Sequence, residues 1–206
     1  MEYTSLYRRF RPRRFSEIRG QEHVVAALRN AVREDRVLHA YLLSGPRGTG
    51  KTTAARVLAK ALNCTAVEDG EPCGECESCT SMDAGTSFDL HELDAASNNK
   101  VDDMRDLLAR VALGTPGRTK VYLLDEVHML TAGAENALLK TLEEPPDHAI
   151  FLFATTDPHK IPDTIVSRCQ TFEFRRLREV DIQAKLRYIC GLEKVIVSDE
   201  ILSARL

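Results

Sequence analysis

The chain has 206 residues, with 28 lysines and arginines against 31 aspartates and glutamates, for a formal charge of −3. That length buries a hydrophobic core without staples, and 43% hydrophobic with 29% charged residues excludes an intrinsically disordered chain, as 11 glycines and 8 prolines exclude a collagen-like one. No apolar run approaches the ~20 residues of a membrane span and the arginine-rich start is no signal peptide, so a cytosolic protein with reduced thiols and no membrane partner is expected.

Apolar residues at Val24, Ala27, Leu28 and Ala31 have helical spacing. A strand is expected at 40–43, followed by a Gly/Pro turn and a helix at 52–62. Further strands are expected at 90–93, 121–124, 150–154 and 171–174, and helices at 101–112, 135–142 and 179–192. Ser198 reads as the N-cap of a further short helix. Buried strands interleaved with helices predict an α/β fold, a parallel sheet covered on both faces. Residues 63–82 break the pattern: the stretch 68–83 carries six acids and no base, and most of the cysteines lie between its ends.

Gly45-Pro46-Arg47-Gly48-Thr49-Gly50-Lys51-Thr52 fits G-x-x-x-x-G-K-[ST] between an expected strand and an expected helix. The glycines let backbone N–H groups turn inward around phosphates, and the helix adds its positive end. Lys51 is expected to reach the β- and γ-phosphates and Thr52 to ligate Mg²⁺. The strand before Asp125-Glu126 ends in two acids. Asp125 is placed to hold Mg²⁺, and Glu126 to polarise a water for attack on the γ-phosphate, which favours hydrolysis over transfer to another substrate. Asp125-Glu126-Val127-His128 also fits the D-E-x-H box of a helicase.

Cys64, Cys73, Cys76 and Cys79 put four thiols within sixteen positions. Cys-x-x-Cys turns converge two sulfurs on one tetrahedral ion, and the spacing is read as a zinc site. An iron–sulfur cluster and disulfides are the alternatives. The acidity of this insert disfavours a nucleic-acid finger, leaving a structural clip. Cys169 and Cys190 read as buried thiols.

Phe10-Arg11-Pro12-Arg13-Arg14-Phe15 with Gly20-Gln21-Glu22, the phosphate loop, the cysteines, Leu93-Asp94-Ala95-Ala96-Ser97, Asp125-Glu126-Val127-His128-Met129-Leu130, Asn136-Ala137-Leu138-Leu139-Lys140, Glu143-Glu144-Pro145-Pro146 and Ser167-Arg168-Cys169 follow one another in an order that resembles the gamma/tau subunits of bacterial DNA polymerase III clamp loaders, a family of AAA+ ATPases. The resemblance implies a five-stranded AAA+ sheet over residues 1–175, with a zinc insert at 63–82, and the start of a helical lid at 176–206. It implies ATP or ADP, Mg²⁺ and Zn²⁺ as ligands. The partners it implies are other loader subunits in a ring, a sliding clamp and primer-template DNA held through its phosphates, in the cytoplasmic replisome at the nucleoid. Thr156 matches the residue that senses the γ-phosphate, with Thr155 its neighbouring candidate. Arg168 matches an arginine finger acting on nucleotide held by an adjacent subunit. The family's second sensor and its collar would lie past Leu206, so the length reads as a cut.

Lys51, Thr156, Glu126 and Arg168 are thus the candidate catalytic residues. For DNA, the stretch from Ser97 to Lys100 is the better candidate, with exposed backbone N–H groups and Lys100 facing phosphates. Asn99 with Asp102 is the competing reading there, as a helix cap. The N-terminal arginines are expected to pack beside the nucleotide, anchored by Phe10 and Phe15. A helicase or Holliday-junction motor and a non-enzymatic, nucleotide-gated zinc module are the competing functions.

Overall fold

The computed structural model describes residues 5–111, 113–114 and 118–198. In chain order the elements are α1 (Leu6–Arg9), α2 (Glu22–Arg33), β1 (Ala40–Ser44), α3 (Lys51–Asn63), α4 (Glu77–Ala84), β2 (Leu90–Asp94), α5 (Val101–Val111), β3 (Lys120–Asp125), α6 (Ala132–Glu143), β4 (Ala149–Thr155), α7 (Asp163–Val166), β5 (Gln170–Glu173) and α8 (Glu179–Glu193). The helix expected after Ser198 lies outside the described residues, as does Ala112.

The strands form one sheet of five in the order β2-β3-β4-β1-β5, and every pairing is parallel. Alternation along the strands divides the core into two layers. Tyr41, Leu43, Val121, Leu123 and Leu152 meet Leu28 of α2 and Ala54 and Leu58 of α3 on one face. Leu42, Tyr122, Leu124, Phe151 and Phe153 meet Met104 of α5 and Leu138 of α6 on the other. An aromatic ladder, His91–Tyr122–Phe151, crosses three adjacent strands with ring centroids 5.0 and 5.5 Å apart. The expected α/β architecture is borne out.

Three differences from the sequence-based expectation have local causes. Strands β1 to β4 each run one residue further, through Ser44, Asp94, Asp125 and Thr155, because ladder hydrogen bonds hold these polar residues where hydropathy gave no signal. Helix α6 opens at Ala132, three residues early, because Thr131 caps it by accepting the Ala134 N–H. Helix α4, not anticipated, starts directly after Cys76 within the insert. At the other end, Phe174 leaves the sheet buried, its N–H donating to the Ser44 carbonyl at 2.7 Å.

Candidate functional site

The carboxyl ends of β1, β3 and β4, the middle of the sheet, carry the expected site residues, in keeping with the rule for open parallel sheets. Gly45 leaves β1 at φ +140°, where a Cβ would stand 2.3 Å from the Phe174 carbonyl oxygen, so a close backbone approach requires glycine. Gly50, at φ +101°, is the left-handed N-cap of α3. Between them Pro46, Arg47 and Gly48 are exposed, whereas Thr49 is buried with its hydroxyl donating to the Pro46 carbonyl at 2.9 Å. Lys51 is buried, and its Nζ donates to the carbonyls of Gly45 and Pro46 at 2.7 and 2.8 Å. Burial lowers its pKa, and the carboxylates of Glu126 and Asp125 oppose that shift.

Thr52 Oγ1 donates to Asp125 Oδ2 at 2.7 Å. Two hard oxygens thus converge from α3 and β3 beside the loop, which fits magnesium. Glu126 follows in a left-handed conformation, φ +49°, uncommon for a residue with a side chain. Its carboxylate Oε2 accepts from the Thr156 hydroxyl at 2.8 Å and the Thr156 N–H at 3.2 Å. Thr155 is different: fully buried, its hydroxyl is paired with His128 Nδ1 at 2.9 Å and accepts the Asp157 N–H at 3.1 Å. Thr156 therefore adjoins the acid, and Thr155 supports from behind. The sequence marked His128 through the D-E-x-H box, but its pairing with Thr155 was not anticipated.

A cavity of about 250 Å³ adjoins the loop, walled by Gly48, Thr49 and Gly50 on one side and by Ile18, Leu177 and Ile182 on others. Gln21, fully buried, ties the N-terminal segment to the end of the sheet by a two-way amide bridge with the backbone of Arg175, at 2.7 and 3.1 Å. The arginine-rich N-terminal segment thus packs beside the phosphate loop. Phe15 is fully buried there and Phe10 half-buried.

In the insert, the Sγ atoms of Cys64, Cys73, Cys76 and Cys79 all lie within 4.8 Å of one another, with Cys73–Cys79 at 4.0 Å and Cys64–Cys76 at 3.9 Å. A tetrahedron of Zn–S bonds has sulfur–sulfur edges of about 3.8 Å, so the cluster fits zinc. The N–H groups of Ala66 and Cys73 point to Cys64 Sγ at 3.4 and 3.2 Å, and those of Glu75 and Cys76 to Cys73 Sγ at 3.4 and 3.3 Å, which favours thiolates. The insert's acidity has a structural use. Asp69 pairs with Arg29 and Arg33 of α2, while Glu71 accepts the N–H groups of Phe15 and Ser16, each at 2.8 Å. Cys169 and Cys190 are half-buried rather than buried; Cys169 packs against the edge of one core layer. Burial still pushes the Cys169 thiol up to about 12.

Arg168 follows α7 and donates to the Glu143 carboxylate of α6 at 2.7 Å and to the Thr164 carbonyl at 2.6 Å. None of these partners belongs to the phosphate loop. At the start of α5, the expected cap is corrected: Asp103, not Asp102, accepts the Lys100 N–H at 3.3 Å, since the N3 side chain is the one that folds back. The Asp94 carbonyl likewise occupies the Ser97 and Asn98 N–H groups, at 3.1 and 2.9 Å, so the backbone donors expected for DNA at this loop are partly spent. The Lys100 side chain is exposed.

The family model described as "DNA polymerase III, delta subunit" matches residues 20–178. The chain belongs to this family of DNA polymerase III subunits. Within it the chain is 52% identical over 200 residues to "DNA polymerase III subunit tau" of Bacillus subtilis, an alignment covering 97% of this chain and 36% of that one. It is 51% identical to the subunit of the same name from Escherichia coli, over 95% of this chain and 30% of that one. The resemblance to gamma/tau subunits is borne out, and the chain spans about a third of the length of these relatives. Among solved structures, the "RuvB Holliday junction branch migration motor" of Thermotoga maritima superposes with a TM-score of 0.65 at 23% identity, covering 94% of this chain and 58% of that one. That likeness establishes the AAA+ fold. Among the described residues, no helix is long and apolar enough to cross a membrane.

Proposed function

We propose that this chain is the ATP-binding and ATP-hydrolysing part of a clamp-loader motor subunit, acting with other loader subunits to place a sliding clamp on primer-template DNA in the cytoplasmic replisome. The observation that carries it is the convergence of Lys51, the Thr52–Asp125 pair and the Glu126–Thr156 pair beneath one phosphate loop, in a chain of this family. Residues 1–175 form the nucleotide-binding domain, and α8 belongs to a lid beginning near residue 176.

Lys51 exchanges its two carbonyl partners for β- and γ-phosphate oxygens, and the exposed residues Arg47 and Gly48 present backbone N–H groups around them. Thr52 and Asp125 hold Mg²⁺, which neutralises charge on the phosphates. Glu126 takes a proton from the attacking water as the water oxygen bonds to the γ-phosphorus and the bond to the leaving ADP breaks. The Thr156 hydroxyl fixes the orientation of that base. The base of the nucleotide lies in the apolar cavity of Ile18, Leu177 and Ile182. Arg168, held by Glu143 on the α6–α7 side, serves a nucleotide on the neighbouring subunit. The four cysteines hold zinc as a structural clip.

ATP turnover by the chain alone, and in a mixture with partner subunits, clamp and primed DNA, tests this. Weak turnover alone and strong stimulation by the full mixture are expected; no stimulation overturns the loader assignment, and translocation along a single strand replaces it with a helicase.

A further inference from the structure

A second cavity, of about 630 Å³, lies apart from the phosphate loop, among α1, the segment after it, α3, the end of α4 and edge strand β2. That is the size of a site for a nucleotide-sized molecule. Five cationic side chains line it, Arg8, Arg11, Arg13, Arg56 and Lys60, against two carboxylates, Asp83 and Glu92. Both carboxylates are engaged. Lys60, 2% exposed, spends its three donors on the two oxygens of Asp83 and the Arg13 carbonyl, at 2.9 to 3.0 Å. Glu92 pairs with Arg56.

Arg13 also lies 3.8 Å from Asp83, which leaves Arg8 and Arg11 as the guanidinium groups of the cavity outside these ion pairs. Among the described residues, neither Arg8 nor Arg11 forms a salt bridge with a carboxylate. Arg11 is half-buried; burial, and then the like charge of Arg56, lowers its pKa, and the Glu92 carboxylate only partly opposes that shift. The Arg56 Nε is buried with no hydrogen-bond partner. Two neighbouring guanidiniums repel each other, and an anion between them relieves that repulsion.

We propose that this cavity is a second anion site, taking a small molecule with two or more phosphoryl groups between Arg11 and Arg56, with Arg8 at its edge. Planar guanidiniums pair bidentately with phosphoryl oxygens, which suits this cluster better than a single ammonium would. A small ligand is favoured over a nucleic-acid backbone because the site is a concavity flanked by Asp83 and Glu92, which a continuous run of phosphates would have to pass. The site stands independently of the phosphate loop.

Inorganic tripolyphosphate is titrated by calorimetry into the 206-residue chain carrying Lys51→Ala, so that the phosphate loop is disabled. The expected result is binding that at least one of Arg11→Ala, Arg56→Gln and Arg8→Ala weakens by about fivefold or more, as loss of a charge-assisted contact requires. Arg8 is exposed, so its substitution reports on the site even where a half-buried change disturbs folding. Absence of binding, or binding that all three substitutions leave unchanged, overturns the proposal. So does competition by a single-stranded oligonucleotide that depends on the same arginines, which would make the cavity a nucleic-acid contact.

Discussion

Lys51 donates to the backbone of its own loop, and that contact is local, so removing the ammonium strips phosphate binding while leaving the core layers intact. Lys51→Ala is expected to abolish ATP binding with an unchanged circular dichroism spectrum; retained micromolar affinity would count against the assignment. Arg168 behaves differently because its partners, Glu143 and Thr164, lie on α6 and α7. Arg168→Ala is expected to leave nucleotide affinity of the separate chain unchanged and to cut turnover of the assembled complex about 10³-fold, measured by phosphate release. The loop and the paired acids were legible in the sequence because their chemistry is tied to contiguous spacing. The choice between Thr155 and Thr156 was less legible. It depends on which face of β4 each threonine meets as the strand ends, a property of the pleat and of His128 behind it. The Arg11–Arg56 cluster was invisible for a similar reason, since 44 intervening residues of chain separate groups that only the fold brings together.

At the scale of elements, the central strands were legible from unbroken apolar runs, as expected when both faces of a sheet are covered. The edge strand β2 is half-exposed and depends on fewer such signals. It is also anchored electrostatically: Asp89, just before it, accepts from Lys120 at 3.0 Å and from Arg118 at 2.7 Å. Burial pushes the Asp89 pKa up, but the hydrogen bonds and charges of Arg118 and Lys120 outweigh it and leave the pKa lowered. A carboxylate whose folded pKa lies below its unfolded value of about 3.9 contributes stability above that value and loses it as pH falls through the folded pKa. Asp89→Asn is therefore expected to cost on the order of 3 kcal/mol near neutrality, because it leaves the ammonium of Lys120 buried without its counter-charge. Urea denaturation at a series of pH values should show the gap to the parent chain closing below about pH 4. A gap that stays constant there would show that the ion pairs are not its source.

For the molecule as a whole, the insert is the least sheet-like part and the one whose spacing said most, since Cys73, Cys76 and Cys79 at Cys-x-x-Cys intervals, with Cys64 just upstream, need no tertiary context to suggest an ion. Native mass spectrometry is expected to find one zinc per chain; a metal-free native mass would refute the clip. What spacing did not reveal is where the clip is fastened. The Glu71 carboxylate holds the Phe15 and Ser16 N–H groups, and Arg14 donates to the Cys73 carbonyl, so the insert grips the same N-terminal segment whose Pro12 and Ile18 wall the cavity beside Gly48 and Gly50. Two ligands that share a wall are thermodynamically reciprocal. Chelating the metal is expected to weaken nucleotide affinity, and saturating nucleotide to tighten metal binding by the same factor, measured at equilibrium against a chromogenic chelator. The small cysteine loop is thus mechanically continuous with one wall of that cavity, through Phe15, Ser16 and Arg14.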